Sequence, residues 1–268
     1  MDLLVLTCAG EEAELLSAEL WERGAQGIEE VPLPGGRCQL KAYFECAAGL
    51  EEEFAAFGGR VEEAPEIDWE AASRQAWPAF PLGHRLYLAP EWDESPTPRG
   101  RLRLVVHPGQ ALGTGAHPAT QLCLEALDAH LRPGDRVLDV GTGSGILASA
   151  ASLLGAALAV GCDIELAALE TARDNLRSDG ARAHLFCGSA RAVRGGVFDV
   201  VVANINAATH AQLAPEYARL RPRLLILSGF PASDAAEVGR ALRAHGFAVK
   251  ETLARDEWRC LLLSLEGG

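Results

Sequence analysis

The fold of this chain is decided by residues 136–148, RVLDVGTGSGILA. The run ending at Val140 is short and apolar, which is typical of a buried strand, and a helix is predicted to begin near Ile146. The turn between them carries three glycines, which let a ligand approach the backbone closely. The first N–H groups of the helix have no partners within the helix and face the same place. The stretch therefore predicts a nucleotide-type binding site in an α/β fold.

A second motif lies 22 residues after Gly141, where Asp163 closes the apolar run LAVGCD. An acidic residue at this position binds ribose hydroxyls in nucleotide-binding α/β folds. The dinucleotide fingerprint is G-x-G-x-x-G/A, whereas this turn is G-x-G-x-G and has Ile146 where the third small residue would fall. The form that begins with Asp139 resembles motif I of class I S-adenosylmethionine methyltransferases. That resemblance implies a cofactor with an adenosine and a sulfonium but no phosphate.

Length and composition agree with two domains or one large one, since the chain has 268 residues, of which 49% are hydrophobic. No apolar run reaches the ~20 residues of a membrane span. The acidic start, MDLLVLTCAGEEAE, lacks the basic region of a signal peptide. The cysteines are odd in number and contain no C-x-x-C pair, so we expect reduced thiols in a cytoplasmic protein, without disulfides or a metal site. They are Cys8, Cys38, Cys46, Cys123, Cys162, Cys187 and Cys260.

Negative charge is concentrated at the start of the chain. Residues 1–64 hold fourteen acidic and four basic residues, so about −10 of the formal net charge of −13 lies there. An acidic lobe repels nucleic acid and attracts a basic partner. The alternative is an ordinary well-solvated surface.

Residues 1–65 are predicted to form a ferredoxin-like domain. The apolar periodicities change in the order β-α-β-β-α-β, which is the order of that α+β unit. The segment contains no convincing metal, nucleophile or phosphate motif. We therefore expect a substrate-recognition module.

Residues 66–106 are predicted to form a linker that contains a helix with Trp69 and Trp77 and a strand pair, RLYLAPEW and RLRLVVHPG. The catalytic domain is then expected over residues 107–268. It opens with the glycine-rich loop HPGQALGTGAHPAT, which can fold over a bound ligand as a lid. The histidines of the loop, His107 and His117, are candidate bases, although a role in helix entry or packing fits each as well. The lid candidates are Leu112, Gly113, Thr114, Gly115 and His117.

Strands and helices alternate through the catalytic domain, ending in a hairpin formed by FAVKETLARDE and EWRCLLLSLE. This pattern predicts a Rossmann-like, mostly parallel seven-stranded sheet with an antiparallel strand added late, the class I methyltransferase arrangement. Parallel sheets bind ligands beyond the carboxyl ends of their strands. Gly141, Asp163 and Asn204 all fall there.

The ordered motifs GTGAHPAT, DVGTGSGILA, GCDIE, VVANINA, SGF and EW resemble the bacterial ribosomal protein L-eleven methyltransferase family over nearly the whole chain. The resemblance implies methyl transfer from S-adenosylmethionine to lysine side-chain and N-terminal amines of a basic ribosomal protein, which the N-terminal domain grips. The chain departs from the family in the lid, where Gln110 and Leu112 replace a methionine and a phenylalanine.

The resemblance also assigns cofactor contacts, and the glycine turn adds others. Together the expected cofactor-binding residues are Thr120, Asp139, Gly141, Thr142, Gly143, Gly145, Asp163 and Asn204.

Asn204 is the expected chemical centre, because an amide oxygen and nearby backbone carbonyls can accept the N–H bonds of a neutral amine and aim its lone pair at a methyl group. A carboxylate there would favour the ammonium form and raise a lysine pKa that is already ~10.4. The alternative role for Asn204 is to cap the following helix. No dedicated base is evident, so the proton is expected to leave to solvent.

Two further hypotheses remain open. One keeps the enzyme class and changes the substrate to another protein, a small amine or RNA, although the acidic lobe and the lack of a basic aromatic platform disfavour RNA. The other is a nucleotide-dependent oxidoreductase or a cofactor-binding module without catalysis.

Overall fold

A computed structural model describes residues 2–63, 78–106, 115 and 117–266. The chain divides into two compact units, one containing residues 2–63 and the other containing the described residues from 78 onward. Each unit has its own hydrophobic core and is described by itself below.

The first unit is a four-stranded antiparallel sheet with one face covered by helix α1 (Ala13–Glu22). Its strand order, β2-β3-β1-β4, is that of the predicted ferredoxin-like fold. The second helix, α2, is only Leu50–Glu53 with a 3₁₀ turn after it, because the chain leaves helical geometry at Phe54 and turns back at Gly58 (φ +68°). The strands are β1 (Asp2–Ala9), β2 (Gly27–Leu33), β3 (Arg37–Phe44) and β4 (Arg60–Glu63).

Alternation along β1 builds the core of this unit. Leu4 and Leu6 point to the helix-covered face and are fully buried, and they pack with Leu20 of α1 and Leu40 of β3. Burial of side chains of this size stabilises by roughly 1.5–3 kcal/mol each. The unit is therefore held by its own apolar layer.

The second unit is built on a seven-stranded sheet of order β10-β9-β8-β11-β12-β14-β13. The first five strands in that order are parallel, β14 runs antiparallel to β12, and β13 pairs antiparallel with β14. This confirms the predicted mostly parallel sheet with a late antiparallel strand. The strands are β8 (Arg136–Val140), β9 (Leu158–Asp163), β10 (Ala183–Cys187), β11 (Val200–Asn204), β12 (Leu224–Pro231), β13 (Phe247–Arg255) and β14 (Trp258–Leu265).

Helices cover both faces of this sheet, as apolar parallel strands require. Side chains of α3 and α4 contribute to one buried cluster and those of α6 and α7 to the other. The helices are α3 (Pro118–His130), α4 (Ile146–Leu153), α5 (Leu166–Ser178), α6 (Ala207–Leu220) and α7 (Ala232–Arg243).

A separate three-stranded sheet precedes α3: β5 (Phe80–Leu82), β6 (Leu86–Pro90) and β7 (Leu102–Val106). The two strands expected as a linker pair do pair, but in parallel, and β5 adds a third strand. Their apolar side chains lie in the same core as α3 and α4. Arg85 also donates through Nε to Asp128 of α3 at 2.8 Å.

The predicted linker helix with Trp69 and Trp77 lies outside the described residues, as do His107, Gln110, Leu112, Gly113 and Thr114 of the predicted lid. Within the described ranges, no helix has the length and apolar character needed to cross a bilayer.

Candidate functional site

The expected site residues meet at one edge of the seven-stranded sheet. In the parallel register Val140 of β8 lies opposite Cys162 of β9 on one side and Ala203 of β11 on the other. The next residues of the three strands are therefore level with one another. The structure brings Gly141, Asp163 and Asn204 together at the carboxyl ends of neighbouring strands.

Glycine is required at the first position of the turn. The N–H groups of Gly141 and Thr142 both donate to the carbonyl of Cys162, at 2.9 and 3.0 Å. Gly141 has φ +71°, and a Cβ there would lie 2.6 Å from Cγ2 of Ile205. The turn thus packs directly against the residue that follows Asn204, and any side chain at Gly141 would occupy that contact.

Asp139 lies beneath the turn and is completely buried. Its Oδ2 accepts hydrogen bonds from Thr142 Oγ1 at 2.6 Å and from the N–H of Ala148 at 3.2 Å. Its Oδ1 is buried and has no hydrogen-bond partner in the described part of the chain. Burial in this apolar surrounding raises the pKa of Asp139 to about 7. The turn therefore carries a buried acceptor that lacks a donor.

Asp163 is fixed beside the same turn. Its Oδ2 accepts from the N–H of Gly143 at 3.0 Å and its Oδ1 accepts from the N–H of Glu165 at 3.1 Å. Each carboxylate oxygen retains a second lone-pair site for another donor. The following residues Ile164 and Leu166 are 75% and 62% exposed, an unusual exposure for large apolar side chains.

Asn204 and Thr120 are joined by a hydrogen bond across 84 residues of sequence. Nδ2 of Asn204 donates to Oγ1 of Thr120 at 2.9 Å, and Thr120 is fully buried in the first turn of α3. With Nδ2 engaged, Oδ1 is the amide atom left to accept a donor. The cap of α6 is Asn206, whose Oδ1 accepts from the N–H of Thr209 at 2.8 Å, and not Asn204.

The lid residues that the structure describes are Gly115 and His117. Gly115 (φ +73°) is buried, and a Cβ there would lie 2.6 Å from Cδ1 of Ile146 at the start of α4. His117 caps α3, because its Nδ1 accepts from the N–H of Ala119 at 3.2 Å, and its ring packs edge-on against Trp258 at 4.4 Å. Since Nδ1 is used by the cap, the observed contacts of His117 are those of helix entry and packing.

Sequence reasoning missed His210, which is completely buried on α6. Its Nε2 lies 2.8 Å from the carbonyl of Ser228, and its Nδ1 lies 3.3 Å from the hydroxyl of Tyr217. Burial lowers the pKa of His210 to about 4, so the ring is neutral at physiological pH. The sequence offered one signal for its burial, the helical spacing that places His210 on the same face of α6 as Leu213, Ala214 and Tyr217.

Comparison with known proteins assigns the chain to a family. Residues 36–266 match the ribosomal protein L11 methyltransferase (PrmA) family. The chain belongs to this family. A relative from Deinococcus radiodurans, named ribosomal protein L11 methyltransferase, is 40% identical over 237 residues, which are 85% of this chain and 84% of that protein. A relative of the same name from Myxococcus xanthus is 35% identical over 268 residues, 92% of this chain and 93% of that protein.

The family also has a solved structure that shares this fold. The crystal structure of a ribosomal protein L11 methylase from Lactobacillus delbrueckii subsp. bulgaricus matches with a TM-score of 0.65 and 29% sequence identity, covering 71% of this chain and 100% of that one. The family resemblance inferred from the ordered motifs is thereby confirmed. This member of the L11 methyltransferase family is an S-adenosylmethionine-dependent protein methyltransferase. The oxidoreductase alternative is not favoured.

The observed residues fit a cationic cofactor of this kind. The buried Oδ1 of Asp139 lacks a donor, and Gly141 itself adds no side chain to the turn. Both features lie at the turn between β8 and α4, where the orphan N–H groups of the helix also begin.

Proposed function

We propose that this enzyme transfers methyl groups from S-adenosylmethionine to the lysine ε-amines and the N-terminal α-amine of ribosomal protein L11. The observation that carries the proposal is the hydrogen bond between Asn204 and Thr120, which leaves a neutral amide oxygen at the cofactor edge of the sheet. The relatives named ribosomal protein L11 methyltransferase support the choice of protein.

The cofactor would be held by the glycine turn and the two acidic residues beside it. The glycines of the turn, Gly141, Gly143 and Gly145, let a ligand approach the backbone closely, while their own N–H groups already donate to Cys162, Asp163 and Thr142. Asp163 has one lone-pair site left on each oxygen, which suits two ribose hydroxyls. Asp139, buried below, would supply negative charge to a positively charged ligand on losing the proton that its raised pKa retains. S-adenosylmethionine, when bound there, supplies an electrophilic methyl group on a sulfonium.

Asn204 would orient the attacking amine. Its Oδ1 accepts one N–H of the neutral amine, which holds the amine lone pair toward the methyl group. A neutral acceptor is required, because a carboxylate at this position would stabilise the ammonium form and raise the lysine pKa further. The departing proton then passes to solvent. Catalysis rests on positioning, and no dedicated base takes part.

The first unit would dock the basic substrate. Most of its described acidic side chains are exposed, and Trp21 of α1 is 53% exposed among them. Exposed aromatic residues are common anchors of protein interfaces, and an acidic surface attracts a basic partner over about one Debye length, ~8–10 Å. The exposed acids are Glu12, Glu29, Glu30, Glu45, Glu51, Glu52, Glu53 and Glu62. A ribosomal protein substrate would place the enzyme in the cytoplasm, which agrees with its seven free cysteines.

Mass spectrometry of purified ribosomal protein L11, after incubation with the enzyme and methyl-deuterated S-adenosylmethionine, tests the proposal. We expect labelled methyl groups on lysines and the N-terminus. The variant Asn204→Ala should lose them. The matched control Asn206→Ala removes an asparagine two residues away that caps α6, and it should retain them.

Two results would contradict the proposal in different ways. Methylation by Asn204→Ala at the wild-type rate would remove Asn204 from the mechanism. Binding of the cofactor without any methyl group on L11 would show that the enzyme acts on another protein or a small amine.

A further inference from the structure

The backbone that follows Asn204 is fixed by contacts with the buried side chain of His210. Asn204 ends β11, and the N–H of the next residue, Ile205, donates to the carbonyl of Ser228 on β12 at 3.1 Å. The same carbonyl is 2.8 Å from Nε2 of His210. Ser228 and His210 are both completely buried, so no bulk water reaches this carbonyl. The Ser228 carbonyl therefore joins the imidazole to the backbone beside Asn204.

The tautomer of His210 follows from its partners. A carbonyl can only accept, so Nε2 must carry the hydrogen. In a neutral imidazole Nδ1 is then an acceptor, which matches the hydroxyl of Tyr217 at 3.3 Å. The ring of Phe230 packs edge-on at 5.5 Å and completes the buried surrounding. Nε2 of His210 therefore donates to the Ser228 carbonyl of β12, and Nδ1 accepts from Tyr217 of α6.

Because the peptide bond is planar, the hydrogen bond of the Ile205 N–H also fixes the direction of the Asn204 carbonyl. The N–H of Ile205 and the carbonyl of Asn204 belong to one rigid peptide unit and point in opposite directions. Because the N–H points at β12, the carbonyl of Asn204 points toward the side on which β8 lies. The pairing of β8 with β11 ends at Val140 and Ala203, one residue earlier. The carbonyl is therefore aimed past the end of β8, where the glycine turn lies.

Close packing reinforces the same peptide. Gly229 has φ +94°, and a Cβ there would lie 2.4 Å from the carbonyl oxygen of Ile205 and 2.7 Å from its nitrogen. The backbone after Ser228 hence lies directly against Ile205. The position of this peptide depends on where the Ser228–Gly229 segment sits, and His210 is the side chain that donates to that segment.

We propose that His210 is a positioning residue for methyl transfer, which holds the peptide between Asn204 and Ile205 through the Ser228 carbonyl so that the Asn204 carbonyl and side chain face the amine together. This inference rests on the proposed role of Asn204 in binding the amine. His210 itself contacts neither substrate nor cofactor in this arrangement. Its loss should slow the chemical step and leave the binding of S-adenosylmethionine nearly unchanged.

Three substitutions separate positioning from packing. His210→Gln can place its amide nitrogen where Nε2 lies, whereas His210→Asn reaches only the position of Nδ1, and His210→Leu fills the space without a donor. We expect kcat to fall about tenfold in the Leu and Asn variants and to return to within about twofold of wild type in the Gln variant. The KM for the protein substrate and the Kd for S-adenosylmethionine should change less than about threefold. Tyr217→Phe, which removes only the second partner, is the control and should keep its kcat.

Equal loss of kcat in the Gln and Asn variants, or a wild-type kcat in the Leu variant, would overturn the proposal. Nitrogen-15 NMR of the His210 imidazole in the wild-type protein provides a second test, which needs neither a substrate nor a substituted variant. The spectrum of wild type should show a neutral ring protonated at Nε2, and the opposite tautomer would also overturn the proposal. Wild-type activity of Asn204→Ala, by contrast, would reject the proposed role of Asn204, and absence of methyl groups on L11 would reject the proposed substrate, while the tautomer stands in both cases, so the failures are distinguishable.

Discussion

Thr120, in the first turn of α3, accepts a hydrogen bond from Nδ2 of Asn204 at 2.9 Å, although the two residues are 84 positions apart in the sequence. The bond decides which amide atom of Asn204 is free. It therefore links the packing of α3 against the sheet to the geometry proposed for amine binding.

Thr120→Val should lower kcat about tenfold, because valine has the same shape but cannot hold the amide in one orientation. Thr120→Ser keeps the hydroxyl and should retain most of the activity. Steady-state kinetics at saturating cofactor and protein substrate would show the difference. Equal activity of the Val and Ser variants would mean that the bond does not orient Asn204.

Gly141→Ala should weaken S-adenosylmethionine binding far more than Gly155→Ala does. Both glycines have positive φ, so an alanine costs roughly 1–2 kcal/mol of backbone strain at either site. A Cβ at Gly141 also lies 2.6 Å from Ile205, whereas nothing lies within 4 Å at Gly155. Isothermal titration calorimetry on both variants isolates this contact, and equal affinities would count against a cofactor role for the turn.

Asp139 should make the unliganded enzyme less stable as pH rises. Its folded pKa of about 7 lies above the ordinary value of 3.8, so the folded state holds an extra proton between these values. Stability is therefore lost as pH rises from 4 to 7, by about 4 kcal/mol in total. Denaturation of Asp139→Asn across this range, compared with wild type, should lack that slope, and parallel curves for the two proteins would refute the assignment.

His210 should make the enzyme less stable as pH falls, the opposite of the effect expected for Asp139. Burial lowers its folded pKa to about 4 from the ordinary value of 6.5, and the groups around it are the uncharged Tyr217 and Phe230 and the backbone of Ser228 and Ile205. The unfolded state binds the proton first, so stability is lost as pH falls from 6.5 to 4, by about 3 kcal/mol. Urea unfolding of wild type and His210→Leu at pH 7 and pH 4.5 measures this difference. An identical decrease in both proteins would exclude His210 as its source.

Reversing charge on the first unit should impair substrate capture without slowing the chemistry. Glu51→Lys with Glu52→Lys is expected to raise the KM for ribosomal protein L11 about tenfold at low salt and to leave kcat unchanged. Glu53 is left intact because it pairs with Arg23. The matched control, Glu170→Lys with Glu237→Lys, changes exposed residues of the second unit by the same charge and should have little effect. An equal rise in KM for both double variants would show that substrate capture depends on the net charge of the protein and not on an acidic surface of the first unit.

Local sequence patterns predicted most of the helices and strands, because the conformation of such elements depends mainly on neighbouring residues. The strand, turn and helix around Gly141 were predicted correctly, since apolar runs and glycine content report backbone conformation directly. The second helix of the predicted β-α-β-β-α-β order is only Leu50–Glu53, because the order of the elements does not reveal that the chain leaves the helix at Phe54. The parallel pairing of β6 with β7 was likewise invisible, since strand direction depends on the path of the connection.

The sequence by itself determined the fold class, the family and the identity of the residues at the carboxyl edge of the sheet, because alternation, glycine spacing and motif order are properties of the chain. Only the tertiary structure decided that Thr120 engages Nδ2 of Asn204, that Asn206 rather than Asn204 caps α6, and that the Ser228 carbonyl connects His210 to Ile205. The physical reason is that a hydrogen bond selects among donors and acceptors by position in space. Thr120 and Asn204, like His210 and Ser228, lie on different elements, and the atoms of each pair come within 3 Å only after the sheet and its helices have packed.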